Sequence, residues 1–181
     1  MAYAISLLLD DAAAARVRWH WDLLAATKLS RSMPELGYVP HVTLAVCDEI
    51  DVAAAQAALD AVFAGRPALD IALTVVQTFG AASGVLYAAL AESSELRQLQ
   101  ADVAAVLPGA VRPDYQPHAF TPHVTLATGL SPHSLALAQR LFEQYWGSFA
   151  GCCETAELAE FVPVRPLTRW ALVPRSLNPS S

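Results

Sequence analysis

The chain has 181 residues, 55% hydrophobic and 15% charged, which excludes an intrinsically disordered protein and leaves enough material for a sizeable core. The formal net charge of −6 argues against the large basic surface that a long nucleic acid requires. The chain has three cysteines, an odd number that makes a poor disulfide framework, and this favours a cytoplasmic location. No apolar run approaches the roughly 18 residues of a membrane span.

In the first half of the chain, apolar periodicity and turn residues predict the order strand, helix, strand, helix, strand. The opening stretch is predicted to be a strand and not a signal peptide, because it lacks a basic start and runs directly into Asp10 and Asp11. Asp11 is the predicted N-cap of the first helix. The predicted bounds are a strand over 3–9, a helix over 11–27, a loop over 27–39, a strand over 40–45, a helix over 51–64 and a strand over 69–79.

The second half repeats this order and ends in two strands. Ser93 is the predicted N-cap of its first helix, and Ser131 followed by Pro132 starts its second. The predicted bounds are a strand over 84–90, a helix over 93–107, a proline-rich loop over 108–122, a strand over 122–127, a helix from 131, strands over 155–162 and 167–173, and a frayed tail over 178–181. No linker separates the halves, so we predict a single two-lobed α+β domain over 1–181, with approximate repeats over 1–80 and 83–175.

One hexapeptide occurs in both halves. Pro40–Ala45 recurs letter for letter as Pro122–Ala127, 82 positions later. The same shift aligns Phe79 with Phe161. Internal repetition at matching places indicates duplication of a structural unit, and here the repeated unit carries polar side chains as well as apolar ones.

Each copy of the hexapeptide has the β-branched and apolar residues of a buried strand. Successive side chains of a strand point to opposite faces. We therefore assign the valine and leucine of each copy to the core, and to the open face the pairs His41 with Thr43 and His123 with Thr125. We expect each motif strand to be central in its lobe, with the two histidines facing one another across a shared cleft.

Two histidines flanking a phosphodiester have a definite chemistry. One imidazole accepts a proton from the attacking oxygen while the other donates a proton to the leaving oxygen. The two threonine hydroxyls donate hydrogen bonds to the non-bridging phosphate oxygens. The alternative is that each copy is only a strand with a hydrogen-bonded polar face, which recurrence at matching places makes the weaker interpretation.

The sequence resembles the 2H phosphoesterases, and within them the branch of 2′-5′ RNA ligases and cyclic nucleotide phosphodiesterases. That family has two His-x-Thr/Ser motifs, matched here by His41-Val42-Thr43 and His123-Val124-Thr125. The two-lobed order also matches, and the segment 166–172 looks like the family's last strand. The resemblance implies antiparallel sheets facing a central cleft, and metal-free cleavage of a 2′,3′-cyclic phosphate or a related small phosphodiester. It also implies an alternative, the ATP-independent joining of RNA ends through a 2′-5′ linkage.

This chain departs from the family at one position. Members close to the bacterial ligases often show Arg-x-Phe-x-Pro-His before the second motif, and His118 stands where that arginine would be. A fixed positive charge is replaced by a titratable one, so His118 either touches the substrate or is a solvent-exposed loop residue. Tyr38 and Phe120 each lie three residues before a motif histidine. They either stack a base or anchor their loops to the core.

The number and spread of basic residues indicate the size of the substrate. Three arginines, Arg112, Arg165 and Arg169, are candidates for one or two phosphate contacts, and no basic run extends beyond them. We therefore expect a small nucleotide or a short oligonucleotide as the substrate, a large RNA being a poorer fit, and a monomer without a membrane contact.

Other chemistries fit less well. A zinc site from the two motif histidines and a cysteine is conceivable, but the motif strands bring hydroxyls where zinc prefers thiolates or carboxylates, so we expect neither metal nor cofactor. The segment 80–84 is out of register for a nucleophile elbow. A nucleotide-binding module without turnover stays as the third functional class.

Overall fold

Strands and helices alternate in the predicted order. The computed structural model describes residues 2–175, so the tail predicted to be frayed lies outside the described residues. The elements are β1 (Ala2–Leu9), α1 (Asp11–Ala26), α2 (Ser32–Glu35), β2 (His41–Cys47), α3 (Val52–Phe63), β3 (Leu69–Thr78), β4 (Leu86–Leu90), α4 (Ser94–Ala105), a 3₁₀ turn (Pro113–Tyr115), β5 (His123–Ala127), α5 (Pro132–Tyr145), β6 (Phe149–Phe161) and β7 (Arg165–Ala171). Within these residues, no helix is both long and apolar enough to cross a membrane.

The first helix is capped by Asp10, so the prediction of Asp11 as its N-cap is wrong. Asp11 is the first helical residue, and Asp10 Oδ1 accepts a hydrogen bond from the Ala13 amide at 2.9 Å. The other carboxylate oxygen of Asp10 accepts from the Cys152 amide on β6. Asp10 is therefore fixed from two sides, which the sequence near the helix does not show. Ser93 and Ser131 cap α4 and α5 as predicted.

Two further boundaries differ from the prediction. The loop predicted over 27–39 contains the short helix α2. The strand predicted to start at 155 starts at Phe149, because its first residues pair with β3. Gly151 lies in this added part, where a Cβ would meet the Ala13 side chain at 2.5 Å. A glycine within a strand weakens the sequence pattern, and here it marks the close approach of α1.

The seven strands form one antiparallel sheet with a symmetric order. The order is β2-β1-β6-β3-β4-β5, with β7 paired to β6. Exchanging β1 with β4, β2 with β5 and β3 with β6 reproduces this order in reverse. The two halves are thus related by a pseudo-two-fold axis between β6 and β3. We define the first lobe as β2, β1, β6 and β7, and the second lobe as β3, β4 and β5, so each half contributes its third strand to the other lobe.

The motif strands β2 and β5 lie at the two ends of the sheet order, so the prediction that each is central is wrong. The burial of their valines and leucines made them look central, but helices supply much of that cover. Strands β2 and β5 nevertheless approach each other, with Cα atoms within 8 Å. The two ends of the sheet therefore meet, and the motif strands lie beside one another without pairing.

The open edge of each motif strand is braced by the other half of the chain. On β2, the Leu44 carbonyl accepts from Nε2 of Gln100 on α4 at 3.3 Å. On β5, the Thr125 carbonyl accepts from Nε1 of Trp21 on α1 at 3.2 Å. Gln100 and Trp21 are both buried. Unpaired edge carbonyls are costly when buried, so these reciprocal bonds both stabilise the edges and fix where the motif strands lie.

Gln100→Leu is expected to lower the free energy of unfolding by about 1–3 kcal/mol, because it leaves the Leu44 and Tyr115 carbonyls without their donor. Urea unfolding followed by tryptophan fluorescence measures the change. Gln98→Leu on the exposed face of the same helix is the matched control, because it loses only an exposed hydrogen bond to Asp102, with an expected change within about 0.5 kcal/mol. Equal losses for the two variants would show that the brace contributes nothing of its own.

Candidate active site

The motif side chains alternate as the strand period requires. Val42 and Leu44 are fully buried, and Val124 and Leu126 are each 1% exposed. The histidine and threonine of each motif are half-buried on the other face. The predicted division into a core face and an open face is confirmed on both strands.

Both motif histidines are held in the same way by their own loops. Nδ1 of His41 lies 2.6 Å from the Val39 carbonyl oxygen, and Nδ1 of His123 lies 2.7 Å from the Thr121 carbonyl oxygen. A carbonyl only accepts, so each Nδ1 carries a hydrogen and donates it. In the neutral ring the lone pair then lies on Nε2. Two imidazoles with the same anchored nitrogen therefore present the same reactive nitrogen.

Burial lowers the pKa of both motif histidines below 6.5. For His41 the main cause is desolvation, partly offset by the hydrogen bond to the Val39 carbonyl. For His123 desolvation again dominates, the hydrogen bond to Thr121 offsets part of it, and the nearby charge of His41 lowers the pKa further. The approach of β2 and β5, which carry the two rings, accounts for this effect of His41 on His123. Each ring is thus poised to be neutral near pH 7, and protonation of one opposes protonation of the other.

The cavity beside His41 is small and carries an ion pair whose carboxylate is buried. It has a volume of about 110 Å³. Ser6, Glu157 and Arg169 line it, and strand register places these three side by side with Thr43 across four strands. Glu157 is 4% exposed, and its Oε2 accepts from Nε of Arg169 at 2.6 Å. The carboxylate orients the guanidinium at the edge of this cavity.

The cavity beside His123 is larger and has aromatic walls. It has a volume of about 460 Å³, and Phe79, Phe120, His123 and Thr125 are among the residues that line it. The ring of Phe79 lies edge-on to His123 at a centroid distance of 5.1 Å. Tyr87 also lies edge-on to His123, at 5.2 Å. The two histidines thus sit in chemically different surroundings despite the symmetry of the fold.

The predicted substrate-binding residues occupy three different situations. Tyr38 is half-buried, lines the cavity of His41 and packs against that ring at a centroid distance of 5.2 Å. Phe120 is only 5% exposed and belongs to the core, so it anchors its loop while one side forms the wall of the larger cavity. His118 is exposed in a turn and lines neither cavity. Of the two alternatives for His118, its position fits a solvent-exposed loop residue and gives no evidence of a substrate contact.

Of the three candidate arginines, only Arg169 reaches the site. Arg112 is paired with Asp48, and Arg165 with Glu160, and neither lines the cavities of the motif histidines. Phe79 and Glu157 were missed by sequence reasoning. The 82-residue shift that aligns Phe79 with Phe161 was a usable signal, since Phe161 lines the cavity of His41 and Phe79 that of His123.

The residues present do not fit the zinc alternative. Within residues 2–175, no group of three or more histidine, cysteine, aspartate or glutamate side chains is arranged to hold a metal ion. Cys47 is buried, and burial raises the pKa of its thiol to about 11. Cys47 also ends the strand that His41 begins, so the two side chains are too far apart to share a zinc ion.

NMR titration is expected to show both motif histidines with pKa values below 6.5, because burial disfavours their charged forms. His41→Gln keeps the bulk of the side chain but removes its charge, so the pKa of His123 should rise. Gln98→Leu, remote from the cleft, is the control and should leave that pKa unchanged. An unchanged pKa of His123 in the His41→Gln variant would contradict the proximity of the two rings.

Comparison with known proteins agrees with this geometry. The model of the 2′-5′ RNA ligase superfamily matches residues 10–160. Escherichia coli LigT complexed with 3′-AMP has a TM-score of 0.60 and 19% identity, over 94% of this chain and 97% of LigT. LigT complexed with NADP+ has a TM-score of 0.60 and 20% identity, over 94% and 96% of the two chains. TT0787 of Thermus thermophilus has a TM-score of 0.61 and 16% identity, over 95% and 98%.

At these identities the solved structures show the shared fold, and a comparison with curated proteins gave no match. The family model covers most of the chain and contains both motif strands. The symmetric sheet, the paired histidines and the family match lead to one conclusion: this chain belongs to the 2′-5′ RNA ligase superfamily, the 2H phosphoesterases.

Proposed function

We propose that this chain is a metal-independent phosphodiesterase that hydrolyses a nucleotide 2′,3′-cyclic phosphate, or a related small cyclic phosphodiester, by two-histidine acid–base catalysis. The observation that carries the proposal is the pair of neighbouring imidazoles, each anchored through Nδ1 and presenting Nε2. General acid–base catalysis needs one such nitrogen with its lone pair and one with its proton.

The proposed reaction balances with these two groups and water. The neutral histidine accepts a proton at Nε2 from the attacking water, whose oxygen forms a bond to phosphorus. The protonated histidine donates from Nε2 to the ribose oxygen as the bond between that oxygen and phosphorus breaks. The product is a nucleoside monophosphate, and exchange of protons with solvent restores the starting protonation of the two rings. The mutual repulsion of two imidazolium ions disfavours the doubly protonated pair, so at most one of the two rings is protonated at a time.

The threonines and Arg169 have supporting roles in this proposal. Thr43 and Thr125 share the open faces with the histidines, which supports assigning their hydroxyls as donors to the non-bridging phosphate oxygens. Arg169 engages Glu157 through Nε, and its side chain is 54% exposed, which leaves the outer edge of the guanidinium accessible at the cavity of His41. A guanidinium held in this way is suited to an anionic oxygen.

The charge distribution supports a small substrate. Arg112 and Arg165 are engaged by carboxylates and line neither cavity, so within residues 2–175 the two cavities together offer one guanidinium, that of Arg169. Each phosphate that a protein contacts adds to its affinity for RNA, and one or two contacts suit a cyclic mononucleotide or a short oligonucleotide. The joining of RNA ends uses the same two groups in the opposite direction and is the alternative that the family suggests.

His41→Ala and His123→Ala are each expected to lower the turnover rate by roughly 10²–10⁴, the usual contribution of a general acid or base. The double variant should be scarcely worse than the poorer single one, because the pair acts as a unit. Hydrolysis of a 2′,3′-cyclic mononucleotide, followed by chromatography, measures these rates, and turnover should persist in EDTA. Loss of activity with chelator and its recovery with zinc would contradict the metal-independent mechanism.

Arg169→Ala is expected to lower kcat/KM for the cyclic mononucleotide by roughly tenfold or more, the effect of losing a hydrogen bond from a charged donor. Arg165→Ala is the matched control, because both arginines lie on β7 and both pair with a buried glutamate. Each variant leaves one buried glutamate without its arginine, so any loss of kcat/KM caused by an unpaired carboxylate alone should appear in both variants. A similar loss in both would remove Arg169 from the proposed phosphate contact.

A further inference from the structure

We infer that the nucleobase of the substrate lies in the cavity beside His123 and stacks on Phe79, which makes Phe79 a specificity-determining residue. The inference rests on the proposed function in taking a nucleotide as the ligand. Its first support is the difference in size between the two cavities. One water molecule occupies about 30 Å³ of the liquid. The cavity of His41, about 110 Å³, has room for a few waters, whereas the cavity of His123, about 460 Å³, has room for a base with its sugar.

The second support is the exposure of Phe79 at the larger cavity. Its side chain lies directly after β3 and is 47% exposed, although it is a large apolar group. Within the described chain it packs on one side against Tyr87, with ring centroids 4.3 Å apart and planes inclined by 25°. An aromatic ring that is supported on one side and accessible on another is a platform on which any base can stack.

The third support is that this platform is fixed in place before a ligand arrives. The Tyr87 hydroxyl donates to Oε1 of Gln77 at 3.2 Å, which holds the supporting ring. The hairpin that carries Phe79 is joined to the turn after β5, where the Leu130 amide donates to the Gly84 carbonyl at 3.0 Å. Gly84 has a φ of +65°, and a Cβ there would meet the Leu130 carbonyl oxygen at 2.8 Å. A preorganised surface loses little conformational entropy on binding.

The other aromatic candidates are poorer platforms. Tyr38 borders the small cavity, and its ring packs against His41. Phe120 is buried, so it shapes the wall of the larger cavity without offering an open face. Of the two alternatives for Tyr38 and Phe120, stacking on a base or anchoring a loop, we therefore assign stacking to neither and place it at Phe79. Phosphate lies between the histidines, and the base extends only to the His123 side.

Equilibrium binding tests this inference without requiring turnover. Isothermal titration calorimetry measures the Kd of adenosine 2′-monophosphate and of base-free ribose 2-phosphate for the wild type and for Phe79→Ala. The variant should weaken binding of the nucleotide by roughly 5- to 100-fold, the range that the stacking of one base corresponds to. Binding of ribose 2-phosphate should stay within about twofold, since the phosphate contacts are unchanged.

Three further variants sharpen the comparison. Phe79→Trp keeps a flat ring and should retain the affinity for the nucleotide, whereas Phe79→Leu keeps apolar bulk and should lose it. Tyr145→Ala removes a similarly exposed aromatic side chain at the end of α5 and should change neither Kd. Thermal unfolding of every variant confirms that it is folded.

Several results would overturn the inference. These are equal affinity of the wild type for the two ligands, equal weakening of both by Phe79→Ala, and a base-dependent loss in Tyr38→Ala instead. The two proposals also fail separately. A protein that binds the nucleotide through Phe79 but leaves cyclic phosphates intact keeps this inference and loses the hydrolytic function. A protein that hydrolyses cyclic phosphates but binds the nucleotide and ribose 2-phosphate equally well keeps the hydrolytic function and loses this inference.

Discussion

The position of the candidate active site depends on the reciprocal bracing of two strand edges. Within residues 2–175, neither β2 nor β5 has a second strand neighbour, yet the catalysis that we propose requires both to be fixed to a fraction of an ångström. A side chain from the opposite half fills each edge, Gln100 for β2 and Trp21 for β5. Because each donor is buried, the carbonyl it satisfies has no alternative partner in water. The histidines are thus held together by the same bonds that hold the two halves of the chain together.

Burial of the histidines has two opposite effects on the chemistry that we propose. A site with little water strengthens the hydrogen bonds that anchor each Nδ1, and it strengthens the attraction between the cleft and an anionic phosphate. The same burial disfavours the imidazolium that must act as the acid. A bound phosphodiester carries negative charge between the rings, so the substrate itself supplies the charge that favours a proton on one of them. The protonation state for catalysis is in this view completed by binding.

Local patterns in the sequence were sufficient for the order of elements and for the faces of the motif strands. The alternation in His41-Val42-Thr43-Leu44 is a property of the strand alone, so it held in the structure. Sheet order is not such a property, and β2 and β5 proved to be edge strands because burial by helices looks the same in sequence as burial by neighbouring strands. The double anchoring of Asp10 depends on the contact between α1 and β6, and the early start of β6 depends on its pairing with β3. Both contacts join segments that are remote in sequence. Phe79 was missed as a site residue despite its alignment with Phe161, since the exposure of its side chain is decided by the tertiary structure.

The exchange of third strands between the lobes has an evolutionary consequence. In this chain β3 completes the second lobe and β6 completes the first, so neither half contains all of its own lobe. Two copies of a half-length chain with one motif would form the same arrangement by exchanging their third strands, as a two-fold symmetric dimer with one histidine from each subunit. Gene fusion would then have turned an interface between subunits into the interior of one chain. Once the two copies were joined, they were free to diverge, and the unequal cavities beside His41 and His123 are the kind of difference that no symmetric dimer of identical subunits could have acquired.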